Sequence, residues 1–242
     1  MMFAARVIGH RDCAAHAPEN TLAGLREAKR RGVTWVEIDV CLLGDGTPVI
    51  IHDATVDRTT DGTGSLARLD WARVSRLDAG SWFAPRFAGE RVPRLDQALA
   101  EVTALGLGLN LELKTHADEG ARLVAAVEPV LRASGLAASK LLVSSFDHSA
   151  LGALRAAAPH TAIAVLYREI PLRWQITASA LGAVAINASY RHASEAAVRS
   201  VKAAGLDVYI YTPRSPADVA HMWAWGIDGI FADDPEPFLS SN

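Results

Sequence analysis

Four charged groupings close short apolar runs in this chain: His10-Arg11, Glu37-Ile38-Asp39, His52-Asp53 and Glu112-Leu113-Lys114. Side chains along a strand point alternately to its two faces, so Glu37 and Asp39 share one side while Val36, Ile38 and Val40 take the other. By the same rule Glu112 and Lys114 lie together, opposite Leu111 and Leu113. Three carboxylates inside apolar strands are costly to bury as free charges. A hard divalent cation held through oxygen would offset that cost. Histidines at other strand ends add groups that take and give a proton near neutral pH. The set describes metal-assisted acid/base chemistry.

Such a site needs strands that end at one place. Apolar runs recur at 5–9, 35–40, 108–113, 141–145, 162–166, 184–186, 208–211 and 229–231. They are continuous rather than alternating, as in parallel strands covered on both faces. Helical patterns fall between most of them. One spans 21–31, with Asn20 as its expected cap and Gly32 as its stop. Others span 118–134, 194–204 and 216–225, and are followed by Gly135, Gly205 and Gly226. Pro216 after Ser215 suits a first helical position. Strand and helix in repeated alternation predict an α/β fold, a closed (β/α)8 TIM barrel. Barrel sites lie at the C-terminal strand ends. There His10 ends the first strand, Glu37 and Asp39 the second, and Glu112 the third. Ordinary salt bridges with Arg11 and Lys114 would explain each carboxylate alone; their coincidence at successive strand ends favours a site.

A ninth run, 48–51, breaks the rhythm. It follows the second strand too closely for a parallel crossover, so the two must form a hairpin turning at Asp45-Gly46. The hairpin returns His52 alongside Glu37 and Asp39. An insertion at about residues 42–92 then carries turn residues (Thr59-Thr60-Asp61-Gly62-Thr63-Gly64) and the aromatics Trp82, Phe83 and Phe87. It is expected to cap the barrel mouth, where Trp82 could flank a substrate. No linker divides the chain, and residues 1–242 are expected to form one domain.

Composition narrows the partners. Half the residues are hydrophobic, enough for a large core, and the formal net charge of -3 argues against a nucleic-acid surface. No basic run suggests stable membrane association, and no apolar stretch reaches the length of a transmembrane helix. The first ten residues do not resemble a signal peptide, and the two cysteines make no disulfide framework. A cytoplasmic protein with reduced thiols is expected. Cys41 continues an apolar strand, and Cys13 has no evident activating partner. His148 suits a solvated or capping place at a helix start. His192 lies where the sixth barrel strand could bring it toward the mouth, while His16 and His160 have no notable companions. Trp223 and Trp225 are read as packing. Asp233-Asp234-Pro235 offers either a polar group for the mouth or simply a turn and a helix start.

In order along the chain, these segments resemble the glycerophosphodiester phosphodiesterase family. The resemblance rests on His10-Arg11, Pro18-Glu19-Asn20-Thr21, Glu37-Ile38-Asp39-Val40, Pro48-Val49-Ile50-Ile51-His52-Asp53 and Asp57-Arg58-Thr59-Thr60-Asp61-Gly62-Thr63-Gly64. It continues through Gly80-Ser81-Trp82-Phe83, Val92-Pro93-Arg94-Leu95, Leu111-Glu112-Leu113-Lys114, Ser144-Ser145-Phe146 and Asp228-Gly229-Ile230-Phe231-Ala232-Asp233-Asp234-Pro235. It implies a barrel with a small insertion after the second strand, acting on small glycerophosphodiesters to give sn-glycerol 3-phosphate and an alcohol such as choline or ethanolamine. It also implies one divalent metal, Mg²⁺ or Ca²⁺, on Glu37, Asp39 and Glu112. His10 and His52 would then be the acid/base pair, with Arg11 and Lys114 near the phosphate. The family is thought to use the substrate's own glycerol 2-hydroxyl as nucleophile.

The chain departs from the family at two places. Asp12 stands where Gly usually follows His-Arg, which would put a negative charge near an anionic substrate. Tyr211-Thr212-Pro213-Arg214 replaces the common Trp-Thr-Val-Asn. Both bear on substrate preference more than on chemistry. Two other readings stay open: a phospholipase D-like enzyme on lysophospholipids, with Trp82, Phe83 and Phe87 meeting an acyl chain, or a silent glycerophosphodiester-binding protein.

Overall fold

In a computed structural model of the chain, which describes residues 5–239, eight parallel strands close on one another and a ninth lies antiparallel at the rim. The strands are β1 (Val7–Gly9), β2 (Trp35–Leu42), β3 (Pro48–Ile50), β4 (Gly108–Leu113), β5 (Leu141–Ser145), β6 (Ile163–Tyr167), β7 (Ala185–Ser189), β8 (Asp207–Tyr211) and β9 (Gly229–Ala232). Their order is β1-β9-β8-β7-β6-β5-β4-β2, and the β1–β2 pairing seals the ring. This is the expected TIM barrel.

Strand β2 is the pivot. Its lower end pairs with β1, Ile8 opposite Trp35 and Gly9 opposite Val36. Where β1 stops, the same edge is taken over by β3, from Val40 opposite Ile50 to Leu42 opposite Pro48. The other edge runs along β4, from Trp35 opposite Gly108 to Val40 opposite Leu113. The predicted hairpin is therefore present, and it begins where the barrel ends.

Helices α1 (Leu22–Arg30), α2 (Trp71–Val74), α3 (Leu95–Leu105), α4 (Gly120–Ala133), α5 (His148–Ala157), α6 (Trp174–Leu181), α7 (Glu195–Ala203), α8 (Pro216–Val219) and α9 (Glu236–Leu239) complete the chain. Val36, Ile38 and Val40 point outward into a core shared with Leu25, Leu99, Val102 and Val124 of the surrounding helices. Inside the bore, Ile8, Trp35, Leu142, Tyr209 and Phe231 form a separate apolar plug. The insertion has a small core of its own, in which Cys41, Leu43, Val49 and Ile51 pack against Val56, Leu66, Leu69 and Val74.

Local details differ from the sequence reading. Asn20 does not cap α1; Thr21 does, its hydroxyl accepting from Gly24 N–H at 3.1 Å. The single helix expected over 216–225 is broken into α8 and a 3-10 turn, Met222–Trp225. Helix α4 begins two residues late, at Gly120, and the first strand begins at Val7. Residues 1–4, part of the segment tested above for a leader, lie outside the described residues, as do 240–242.

Gly108 shows how tightly the bore is filled. A Cβ there would fall 2.2 Å from the Trp35 ring, whose indole forms part of the plug. Gly108→Ala is therefore expected to lower stability by about 1–3 kcal/mol, the usual cost of overpacking. Denaturant unfolding should show a lower midpoint with an unchanged slope.

Candidate active site

Glu37 and Asp39 on β2 and Glu112 on β4 converge at the mouth. Each offers an oxygen within 4.8 Å of the others, and all three residues are buried. Register explains the meeting: Asp39 lies directly opposite Glu112, and Glu37 lies one pleat below. Burial, together with the neighbouring carboxylates Asp39 and Glu112, pushes the Glu37 pKa well above its ordinary value. Burial and Asp39 likewise raise that of Glu112, against the pull of Lys114. Asp39 goes the other way. Burial raises it, but Lys114, Arg11 and His52 together hold it below the ordinary range.

The cations face these carboxylates. Lys114 Nζ lies 2.8 Å from Glu112 Oε1 and 3.4 Å from Asp39 Oδ1. Arg11 Nε lies 3.6 Å from Asp39 Oδ2, and the Arg11 backbone N–H donates to Glu37 Oε2 at 2.9 Å. Burial opposes both cations, yet the surrounding carboxylates raise the pKa of each. Three carboxylates against two cations leave one formal negative charge. An all-oxygen donor set with a buried, unpaired Glu37 Oε1 suits a hard divalent cation.

Two imidazoles flank the cluster, each gripped from behind. His10 Nδ1 donates to Asp233 Oδ1 at 2.6 Å, leaving Nε2 3.9 Å from Glu37 Oε2. His52 Nδ1 donates to Asp53 Oδ1 at 2.7 Å. A carboxylate on one ring nitrogen fixes the tautomer and the direction of the other. Burial holds the His52 pKa below the ordinary imidazole value, although Asp39 pulls it up. Asp53 is held in turn by Arg58 at 2.6 Å, Arg58 by Glu19 at 2.8 Å, and Glu19 by Arg11 at 2.9 Å. A continuous chain of ion pairs thus links the two sides of the mouth.

Asn20 has a different task from the one expected of it. Its Nδ2 donates to Asp39 Oδ2 at 2.9 Å, and its Oδ1 accepts from Asp39 N–H at 3.0 Å. It clamps the side chain and backbone of one residue. Sequence reasoning also left open whether Asp233 served the mouth; its grip on His10 shows that it does. Composition gave no hint of either role, although Asn20 and Asp233 both fall in motifs that carry the family resemblance.

Asp12 is the main correction. It does not place a charge near the substrate: it is fully buried, at φ +72°, and its Oδ2 accepts from Thr21 N–H at 3.0 Å. Burial pushes its pKa well above the ordinary carboxyl value. A Cβ on Gly24 would come 2.5 Å from Asp12 Oδ2, so the glycine leaves room for the carboxyl.

Trp82 is not drawn into the cluster. Its indole N–H donates to Ala79 O at 2.9 Å and its ring packs edge-on against Phe83. Ala79, Val92 and Thr59 border the hollow beside His52. Across the mouth, the Tyr211 hydroxyl donates to Tyr167 O at 2.8 Å, and Phe146 packs edge-on against the Tyr211 ring. Of the other histidines, His16 binds Asp234, His116 lies against Cys41 Sγ, His148 against Leu166 O, and His192 against Ser189. Burial pushes the Cys13 thiol up to about 12, so it carries no thiolate at neutral pH. The Cys41 thiol donates to Ile51 O.

Barrel, carboxylate cluster and oriented histidines define the class, a TIM-barrel protein with carboxylates and imidazoles gathered at its strand ends. The chain belongs to the glycerophosphoryl diester phosphodiesterase family, whose profile matches residues 10–237. A glycerophosphodiester phosphodiesterase of Caldanaerobacter subterraneus is 32% identical over 97% of this chain and 96% of its own. The solved structure of an Oleispira antarctica phosphodiesterase, in complex with the product sn-glycerol-3-phosphate, superposes with a TM-score of 0.95. It is 36% identical, covering 98% of this chain and 96% of that one. An Agrobacterium tumefaciens glycerophosphodiester phosphodiesterase gives 0.80 at 27% identity, covering 98% and 99%.

The Asp12–Gly24 contact predicts a measurable coupling. Gly24→Ala is expected to destabilise the protein, because its Cβ meets a buried carboxyl. In an Asp12→Gly background the same change should be neutral or stabilising, since Ala is the better helix former by about 1 kcal/mol. A double-mutant cycle by denaturant unfolding should therefore give a coupling of at least about 1 kcal/mol. Additive effects would show that the two residues do not share the space.

Proposed function

We propose that the chain hydrolyses glycerophosphodiesters to sn-glycerol 3-phosphate and a free alcohol. The observation that carries the reading is the pair of Asp-held imidazoles on either side of the three-carboxylate cluster, in a chain that the family covers from residue 10 to residue 237. The relative captured with sn-glycerol-3-phosphate supports the identity of the product.

Glu37, Asp39 and Glu112 would hold one divalent cation, Mg²⁺ or Ca²⁺. When bound, such an ion neutralises charge gathering on phosphoryl oxygens. It would also turn the one net negative charge of the cluster into one net positive charge, matched to a phosphodiester anion. Arg11 and Lys114, already at the carboxylates, are placed to share that anion. His52, kept neutral by burial, suits the base. His10, backed by Asp233, suits the acid that protonates the departing alkoxide. Among the described residues no Ser, Thr or Cys side chain is hydrogen-bonded to either imidazole, so the nucleophile is taken to come from substrate or water. The glycerol 2-hydroxyl adjoins the phosphoester, closes a five-membered ring and gains a high effective molarity.

The deciding assay compares glycerophosphocholine with lysophosphatidylcholine, each with and without added cation. Cation-dependent turnover of the first alone is expected. Comparable turnover of the second would move the reading to a phospholipase D-like enzyme, and binding without turnover to a capture protein.

The assigned roles separate by variant. His10→Ala and His52→Ala should lower kcat by roughly 10²–10⁴-fold, as for a lost general acid or base, with cation affinity little changed. Glu37→Ala, Asp39→Ala and Glu112→Ala should weaken cation binding first. Because Glu37 and Glu112 are held above the ordinary carboxylate range, they keep protons to a higher pH, and a cation must displace them. Affinity should therefore fall as the pH is lowered, with proton release on binding. Calorimetry in buffers of different ionisation enthalpy measures both; binding without proton release would contradict the charge assignment.

The nucleophile has its own test. A glycerophosphocholine analogue lacking the 2-hydroxyl should bind but turn over far more slowly than the parent. Equal turnover would point to direct attack by water.

A further inference from the structure

Beneath the carboxylates the bore is polar, where barrels of this kind are ordinarily filled by branched apolar side chains. Asn187, in the middle of β7, is fully buried, and neither its carboxamide oxygen nor its nitrogen has a partner among the described residues. Asn110 on β4 donates through Nδ2 to Ser144 Oγ at 2.9 Å and leaves its buried Oδ1 unpaired. Ser144, having accepted that bond, still has a hydroxyl proton to give. Glu37 uses Oε2 on the Arg11 N–H, while its Oε1 is buried and unpaired. These four side chains border a single hollow of about 20 Å³, which His10, Glu112, Leu166, Tyr211 and Phe231 also line.

The donors and acceptors select the guest. Asn187 Nδ2 and the Ser144 hydroxyl can donate; Asn187 Oδ1, Asn110 Oδ1 and Glu37 Oε1 can accept. An anion would meet three acceptors, one of them on a carboxylate. A cationic nitrogen would leave both donors unused. An oxygen that both donates and accepts fits best: it can take both donors, and it gives two protons to the acceptors as water or one as an alcohol. The volume suits one such oxygen, since a water-sized guest needs roughly 10–15 Å³ of such space. We propose that this well binds one hydroxyl-type oxygen, which accepts from Asn187 Nδ2 and donates to Asn110 Oδ1, to Glu37 Oε1 or, as water, to both. The oxygen belongs to a buried water or, on the functional reading above, to the terminal hydroxyl of the glycerol moiety. In the first case Asn187 is a positioning residue that fixes the Glu37 carboxylate from below, as the Arg11 N–H fixes it at Oε2. In the second it selects glycerol.

High-resolution crystal structures of the protein alone and with sn-glycerol 3-phosphate test this directly, together with an Asn187→Leu variant. The free protein should show an ordered oxygen about 3 Å from the Asn187 carboxamide. If that oxygen persists beside the bound product, the well holds water, and Asn187→Leu should weaken divalent-cation binding roughly 10-fold or more, read by calorimetry. If a glycerol hydroxyl takes its place, Asn187→Leu should raise KM for glycerophosphocholine roughly 5- to 10-fold. KM for an analogue lacking the terminal hydroxyl should then stay unchanged. Both crystals without an ordered oxygen at Asn187 would overturn the proposal, and so would an Asn187→Leu protein with parental cation affinity and KM. The free-protein crystal involves no substrate, so an oxygen found there in a protein that fails to turn over glycerophosphodiesters would sink the functional reading alone.

Discussion

Three carboxylates held close together and away from water are the constraint to which the rest of the mouth is fitted. Two unit charges 4 Å apart repel by about 4 kcal/mol at the effective dielectric near a protein surface, and more where burial is deeper. The protein treats the three unequally. Asp39 receives both cations and the Asn20 clamp, and its pKa falls. Glu37 and Glu112 are left raised. A cluster graded in this way spreads its repulsion unevenly, with the negative charge most firmly held on Asp39.

The hairpin solves a problem of reach. A (β/α)8 barrel delivers side chains from its own strand ends, and neighbouring strands are joined by long crossovers. His52 arrives by a different route, at the end of an added strand that pairs with β2 just above β1. Its direction is then set by the run of ion pairs through Asp53, Arg58, Glu19 and Arg11. Two histidines from unlike elements are thereby referred to one frame.

What could be read from sequence was whatever depends on alternation and connection length. Glu37, Asp39 and Glu112 were legible because side-chain direction in a strand follows parity. The hairpin was legible because its connection is too short for anything else. The barrel followed from continuous apolar strands between helices. What escaped lies in loops or depends on several elements at once. Asn20 has the right chemistry for a helix cap, and only the fold shows that Thr21 takes that place while Asn20 turns to Asp39. Asp12 reads as a charge near the substrate until its left-handed backbone and the absence of a side chain at position 24 give its carboxyl a buried seat. Asn187 follows directly on the apolar run 184–186, and no pattern marks it as facing the bore.

The bond between His10 and Asp233 spans 223 positions of sequence, and the barrel is sealed only when β1 meets β9. A nascent chain leaves the ribosome N-terminus first. Until Asp233 emerges, then, this chain has made its carboxylates, Arg11 and His52 while the first imidazole still lacks its partner. Closure of the ring and orientation of His10 are one event, completed when the ninth strand and the residue after it emerge. Ring and site mature together, once the ninth strand has joined the first.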